Sequence, residues 1–261
     1  LPETSVIVPT FGRSSSLRDC LDSLWSQTYQ DFEIIRVTEE GPLAKLRNKG
    51  AAQAKGKYLV FIDDDVVAPS GWLESIVKIF DSKPAVGGVS GPAIIPRSHR
   101  KNRDLFRFRS IKFFHDLIFL GWGRRIPGHF SRAGAWSTKS SEERCSYEGE
   151  VQFLEACNMA FRTDVFRVVG GFDEAYLGIG DWSEPDLAFR VKRAGFRLWF
   201  SRNARLYHLP SRVGAFRKRK FQSDIRLSNY ELFSKRWIKP CREHSLYKRF
   251  LKFYYAIASS K

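Results

Sequence analysis

Short apolar runs alternate with helical periodicities over the first ninety residues. Ser5-Val6-Ile7-Val8-Pro9-Thr10 is an apolar run closed by proline, the pattern of a buried strand, and Phe11-Gly12-Arg13 reads as the loop beyond it. Leu17, Cys20, Leu21, Leu24 and Trp25 then recur at helical spacing, with Ser14, Ser15 or Ser16 available as a cap. A second strand spans Phe32 to Val37, a second helix runs from Leu43 to Ala54 and ends near Gly56, and a third strand covers Tyr58 to Ile62. Trp72, Leu73, Ile76, Val77 and Phe80 mark the next helix, and Val86 to Ser90 the next strand. These strands do not alternate cleanly between apolar and polar residues, and helices separate them. The pattern predicts an α/β fold with a mostly parallel, Rossmann-type sheet flanked by helices.

Residues 97–145 break this rhythm with many Arg, Phe and Gly residues and read as an insertion or flexible subdomain. Regular structure is expected to resume at Val151, with helices over Thr163 to Val169 and Glu184 to Ala194 and strands near Arg197 to Ser201 and Ala204 to Tyr207. Ligands of parallel sheets bind beyond the carboxyl ends of the strands. Here those ends carry Thr10 to Arg13, Thr38 to Gly41 and Asp63-Asp64-Asp65, so three loops should meet at one crevice. Three consecutive carboxylates cannot all be buried and ionised without a cation. The triplet is either a solvated acidic turn or a site for a hard divalent ion such as Mn²⁺ or Mg²⁺, and its place at a strand end favours the ion.

In chain order, Ser5 to Thr10, Arg47-Asn48-Lys49-Gly50-Ala51-Ala52 and Val60-Phe61-Ile62-Asp63-Asp64-Asp65 resemble the nucleotide-binding half of family 2 glycosyltransferases. Asn158-Met159-Ala160-Phe161-Arg162, Gly170-Gly171-Phe172-Asp173-Glu174, Glu184-Pro185-Asp186-Leu187 and Tyr207-His208 continue the match. The resemblance covers residues 5–208 and implies a GT-A domain over 1–211; the insertion 97–145 and the last fifty residues lie outside it, and 212–261 reads as a basic helical extension. It implies an inverting transferase that moves a sugar from a nucleotide-diphosphate donor, a UDP-sugar, to a glycan or lipid-linked acceptor.

By the same resemblance, Pro9, Thr10, Arg13, Glu39, Arg47, Asp63 and Asp64 bind the donor. Glu40 accompanies Glu39, and Lys45 is a further contact to base or diphosphate. Asp65 holds the metal, with His208 either a second ligand or a core histidine hydrogen-bonded to backbone. Glu184 is the base that takes the proton of the attacking hydroxyl, and Asp186 orients it or binds the acceptor. Asn158 and Trp182 are acceptor contacts, Trp182 alternatively a core residue.

The 261 residues, 43% hydrophobic and 15% aromatic, suffice for a substantial core and exclude wholesale disorder. The net charge of +16 is uneven: residues 1–96 carry 10 basic and 12 acidic side chains (−2), 97–211 carry 20 and 13 (+7), and 212–261 carry 14 and 3 (+11). Basic and aromatic residues interleave in Arg97 to Phe114, Phe216 to Lys220 and Tyr230 to Tyr255, either as a solvated basic face or as an anionic membrane surface contact through Phe114, Phe221, Phe250, Phe253, Tyr254 and Tyr255. No run reaches the roughly 18 apolar residues of a membrane span, and Leu1-Pro2-Glu3-Thr4 has no leader pattern. The four cysteines lie far apart and fit a reducing compartment. The enzyme is expected in the cytoplasm, peripheral at the inner face of a membrane. A nucleic-acid-binding protein explains the basic tail but not the ordered carboxylates, and no nucleic-acid partner is expected. A nucleotidyltransferase should carry a Gly-rich basic loop after the first strand, which Phe11-Gly12-Arg13-Ser14 resembles only faintly.

Overall fold

The computed structural model describes all residues except 11–13, 103–108, 138, 142–144, 211–221 and 260–261. Arg13 lies outside the described residues, as do Phe216 to Lys220 and Phe221. Ten strands are described: β1 (Thr4–Pro9), β2 (Phe32–Val37), β3 (Tyr58–Ile62), β4 (Val66–Val67), β5 (Val86–Ser90), β6 (Ala93–Ile94), β7 (Gly149–Glu150), β8 (Asn158–Arg162), β9 (Arg197–Phe200) and β10 (Leu206–His208). The helices are α1 (Ser14–Trp25), α2 (Leu43–Gln53), α3 (Trp72–Ser82), α4 (Arg109–His115), α5 (Thr163–Val168), α6 (Ser183–Arg193), α7 (Ser223–Trp237) and α8 (Arg242–Ser259).

The main sheet has the order β2-β1-β3-β8-β5-β9-β7. β2, β1, β3, β5 and β9 run in one direction, while β8 and β7 run against it. Alternate residues of the central strands feed two cores, which is why the apolar runs lack polar alternation. Ile7, Leu59 and Phe61 join one cluster with α2, α5 and α6. Val6, Val8, Tyr58, Val60 and Ile62 join the other with α1 and α3. Gly50 lets α2 lie close on β1: a Cβ there would meet Ile7 Cγ2 at 2.4 Å, so any side chain would push the helix, and Arg47 with it, away from the sheet.

A second sheet of order β4-β10-β6 sits at the carboxyl end of β3. Its antiparallel pairing sets His208 opposite Val66, the residue after Asp65, and the Leu209 amide donates to the Asp65 carbonyl at 2.8 Å. Two residues distant by 143 positions are thus brought together by two ladder bonds. β8 performs the same service from the other side, since Ile62 pairs with Asn158 and so brings Cys157 beside Asp63.

The last helices are not a detached tail. Tyr230 and Phe233 of α7 and Tyr247, Leu251, Tyr254 and Tyr255 of α8 are buried in the same cluster as α6. The expectation that Tyr254 and Tyr255 meet a membrane is therefore corrected: at 3% and 4% exposure they form the inward stripe of an amphipathic helix. Phe250 is half-buried against His115 and Phe119, whereas Phe114 and Phe253 are exposed. The inserted region is also tied down, because Phe130 packs on Phe153, Trp182 and Phe233.

Candidate active site

The three consecutive aspartates meet three different environments. Asp64 is 1% exposed and accepts a 2.7 Å hydrogen bond from Thr10 Oγ1, which ties the end of β3 to the end of β1. Thr10 is itself held by its amide on the Val37 carbonyl at 2.9 Å, so the first two strand ends are locked together. Asp65 is buried, with Oδ1 3.2 Å from His208 Nε2. Asp63 keeps 28% of its side chain exposed and lies 3.5 Å from Arg47 Nη2.

One ligand atom each from Asp63, Asp65 and His208 falls within 4.8 Å of the others, a spacing that one cation can bridge. Two carboxylate oxygens and an imidazole nitrogen fit a hard divalent ion such as Mn²⁺ or Mg²⁺. Burial works against charge on His208, but Cys157 and Asp65 outweigh it, and the imidazole pKa stands well above its ordinary value. Cys157 Sγ lies 3.7 Å from His208 Nδ1, and burial pushes this thiol up. Cys20, under the triplet, is raised to about 12 by burial and then by Asp64, Asp65 and Asp63. Both stay thiols, so the donor set is oxygen and nitrogen without thiolate. Beside Asp65 a cavity of about 360 Å³ opens between the start of α1 and β4, lined by Ser15, Ser16, Ser98, His99 and Leu209 among others.

Arg47 joins this cluster to the acidic motif. Its guanidinium, 1% exposed, donates to Glu184 Oε1 at 2.6 Å and to the Ala156 carbonyl at 3.0 Å, in addition to its contact with Asp63. The expected donor contact is thus turned inward, where one cation lies against two carboxylates. Its Nε has no hydrogen-bond partner among the described residues. Burial raises the Glu184 pKa and Arg47 opposes that rise. A carboxylate with raised affinity for a proton at a crevice has the character of a general base.

Glu184 and Asp186 both lie in the first turn of α6, and Pro185 is tolerated there because first-turn amides need no intrahelical partner. Their side chains diverge. Asp186 is fully buried and accepts from Arg190 Nε at 2.8 Å, Trp237 Nε1 at 2.8 Å and Arg236 Nη1 at 3.3 Å. These donors saturate it, so it anchors the helix instead of reaching an acceptor. The segment before Glu184 is held by α7, which also carries Arg236 and Trp237: Arg226 Nε donates to Asp181 Oδ2 at 2.6 Å, and Asn229 exchanges two bonds with the Leu177 backbone. Arg226, Asn229, Arg236 and Trp237 had no signal in the sequence, because all four act across about fifty residues of chain.

Two acceptor candidates are corrected. Trp182, 1% exposed, has φ 80°, the only non-glycine residue at positive φ among the described residues. Its ring is enclosed by Trp136, Phe130, Tyr230 and Phe233, which supply the packing that holds a strained backbone in place. Asn158 is fully buried, donating to the Ala204 carbonyl at 2.8 Å and accepting from Trp72 Nε1 at 3.0 Å. The Asn158 amide is spent on these internal bonds, and burial keeps both the ring faces and the Nε1 of Trp182 from a sugar. Pro9 is buried at the end of β1, while Glu39, Glu40 and Lys45 are exposed near the crevice, Glu39 paired with Lys49. Asn48 spans to the Gly170-Gly171-Phe172 turn, exchanging two bonds with the Phe172 backbone.

Comparison with known proteins follows the same division. The glucosyl-dolichyl phosphate glucuronosyltransferase of Haloferax volcanii is 23% identical, over 79% of this chain and 69% of that protein. The O-antigen biosynthesis protein RfbC of Myxococcus xanthus is 28% identical over 80% of this chain, which spans only 17% of that relative. Among solved structures, the mannosyltransferase PcManGT from Pyrobaculum calidifontis in complex with GDP-Man and Mn²⁺ superposes with a TM-score of 0.58 at 16% identity, covering 99% of this chain and 72% of that one. GalNAc-T7 with UDP, GalNAc and Mn²⁺ gives the same score at 13% identity, over 97% and 54%. These likenesses show the GT-A fold. The sequence profile of glycosyl transferase family 2 matches residues 5–40 and 38–170, from β1 through the aspartate triplet to the turn that Asn48 holds, and the chain belongs to that family.

Proposed function

We propose that this glycosyltransferase moves a sugar from a UDP-sugar to a hydroxyl of a glycan or lipid-linked acceptor, with inversion at the anomeric carbon. The observation that carries the reading is the position of Arg47, whose single guanidinium touches both Glu184 and Asp63. Base and metal-ligand candidates therefore share one crevice. Glu184 takes the proton of the attacking hydroxyl while Arg47 fixes its other oxygen and keeps the carboxylate from protonating too readily. Attack comes from the face opposite the departing diphosphate, so the configuration inverts. Asp63, Asp65 and His208 would hold Mn²⁺ or Mg²⁺, which when bound neutralises charge on the diphosphate leaving group. Asp64, buried and fixed by Thr10, holds the end of β3 against the end of β1 beside the donor site, and exposed Glu39 contacts the nucleobase in this reading. Two of the similar proteins support the acceptor class: one is named for a dolichyl phosphate sugar and the other for O-antigen biosynthesis.

The test is a panel of nucleotide sugars with Mn²⁺, read by release of nucleoside diphosphate with and without EDTA, followed by NMR of the anomeric configuration of the product. Metal-dependent release from a UDP-sugar and an inverted product are expected. Release that is unchanged in excess EDTA removes the metal site, and a retained configuration removes Glu184 as the base.

A further inference from the structure

Helix α4 and the turns after it carry two apolar faces, and among the described residues only one of them packs against the rest of the protein. His115 and Phe119 face inward: their rings lie 5.7 and 4.9 Å from Tyr247 and 5.4 Å each from Phe250 of α8. Phe113, Phe114, Leu117, Ile118 and Trp122 face outward, exposed by 59%, 56%, 50%, 59% and 78%. Phe113, Phe114, Leu117 and Ile118 lie on α4 and the single wider π-helical turn that continues it to Leu120, and Trp122 follows the break at Gly121, whose φ is 52°. Five large apolar side chains exposed within ten residues exceed what a solvated surface needs, since isolated exposed hydrophobics are ordinary but contiguous ones mark an interaction site.

The charges around this stripe select the partner. Residues 105–132 contain six Lys or Arg against one acidic residue, Asp116, which is 15% exposed and already paired with Lys112 and His115. Arg125 lies 4.3 Å over the Trp122 ring, a cation placed on the rim of the apolar face. Helix α8, against which the inward face packs, adds exposed Leu246 and Phe253 with exposed Arg249 and Lys252. No helix among the described residues is long and apolar enough to cross a membrane. An aromatic stripe bordered by cations, on a short helix backed by a folded core, is suited to lie in the plane of a lipid interface.

We propose that the outer face of α4 and the turns after it, from Phe113 to Trp122, docks the enzyme on an anionic lipid surface. The apolar rings enter the headgroup boundary, and Arg125, with exposed Arg249 and Lys252 of α8, meets the lipid phosphates. Nucleic acid would use the same cations, but it offers no apolar phase for Leu117 and Ile118. This inference is independent of the transfer reaction, because docking is measured without donor or acceptor.

The experiment is co-flotation of the whole chain with phosphatidylglycerol-containing vesicles and with pure phosphatidylcholine vesicles, at 50 and 500 mM salt. Binding is expected to require the anionic lipid and to fall at least tenfold at high salt. The triple variant Phe114→Ser, Ile118→Ser, Trp122→Ser should lose at least tenfold more. Its thermal unfolding should match the parent, since all three side chains are exposed. As a second readout, vesicles with brominated acyl chains should quench the parent more than Trp122→Phe. No flotation at low salt, or equal flotation of the triple variant, overturns the proposal. So does a concentration-dependent dimer by sedimentation that the triple variant abolishes while vesicles bind neither protein, which would assign the face to a second copy.

Discussion

The two sides of the crevice meet at Arg47 but are built by different means. The donor side rests on strand ends. Asp63, Asp64 and Asp65 follow directly from β3, Thr10 follows β1, and His208 closes β10, so each side chain is placed by ladder hydrogen bonds that begin in the buried sheet. The base side rests on a helix start after a strained residue. Glu184 follows Trp182 at positive φ, and Asp181 and Asp186 on either side are held by α7. Placement by the sheet rests on backbone pairing, whereas placement by α7 depends on side-chain bonds from residues about fifty positions later. The donor side should therefore fail by losing ligands and the base side by losing position.

Asp65→Ala gives the largest effect on the donor side. It removes one metal-ligand candidate and the Nε2 partner of His208, and transfer should fall by about 10³-fold or more, with donor and Mn²⁺ affinity falling together in titration calorimetry. Unchanged Mn²⁺ affinity would break the assignment of the triplet. Arg47→Met is next, and its sign follows from the charges. Burial holds the Glu184 pKa above the usual carboxylate range, so the base is active only as pH rises through that raised value. Arg47 lowers it, and removing the guanidinium lets it rise further. The acid limb of the pH–rate profile should move upward, so the deficit is larger at low pH than at high pH. A profile that only scales down would confine Arg47 to structure.

Trp237→Phe tests the base side at the smallest scale. It deletes one hydrogen bond to buried Asp186 while keeping the aromatic packing, at a cost of about 1 kcal/mol. We expect kcat to fall by roughly tenfold or less with the donor KM unchanged, because a small loss of alignment slows the chemistry without touching the donor. A change in donor KM with kcat intact would show that the two sides are not separable in this way.

Most of the donor side was legible in the sequence. Apolar-rich runs leading into Thr10, Thr38 and Asp63 predicted a parallel sheet with three loops at one edge, and β1, β2 and β3 fall where those runs lie. His208 was reachable only through the resemblance, since nothing local announces that a three-residue strand pairs with β4. The base side was legible only at Glu184. Whether Trp182 stacks on a sugar or fills the core is decided by Trp136, Tyr230 and Phe233, three residues from two distant segments. Likewise Asp186 reads as reactive beside Glu184, and only the positions of Arg236 and Trp237 show that it is spent on packing. The basic tail misled for a related reason. A stripe of Tyr and Phe at helical spacing serves a membrane or a core equally well, and α8 turns Tyr247, Leu251, Tyr254 and Tyr255 inward.

The most direct test is Glu184→Gln, assayed for donor binding and for turnover on the same preparation. The amide keeps the shape and can still accept from Arg47 through its carbonyl oxygen, but it cannot take up the acceptor proton. Donor affinity with Mn²⁺ should equal that of the parent while transfer falls by about 10²- to 10⁴-fold. Normal turnover, or loss of donor binding in step with turnover, would contradict the assignment of the base to Glu184 and of the donor to the opposite side.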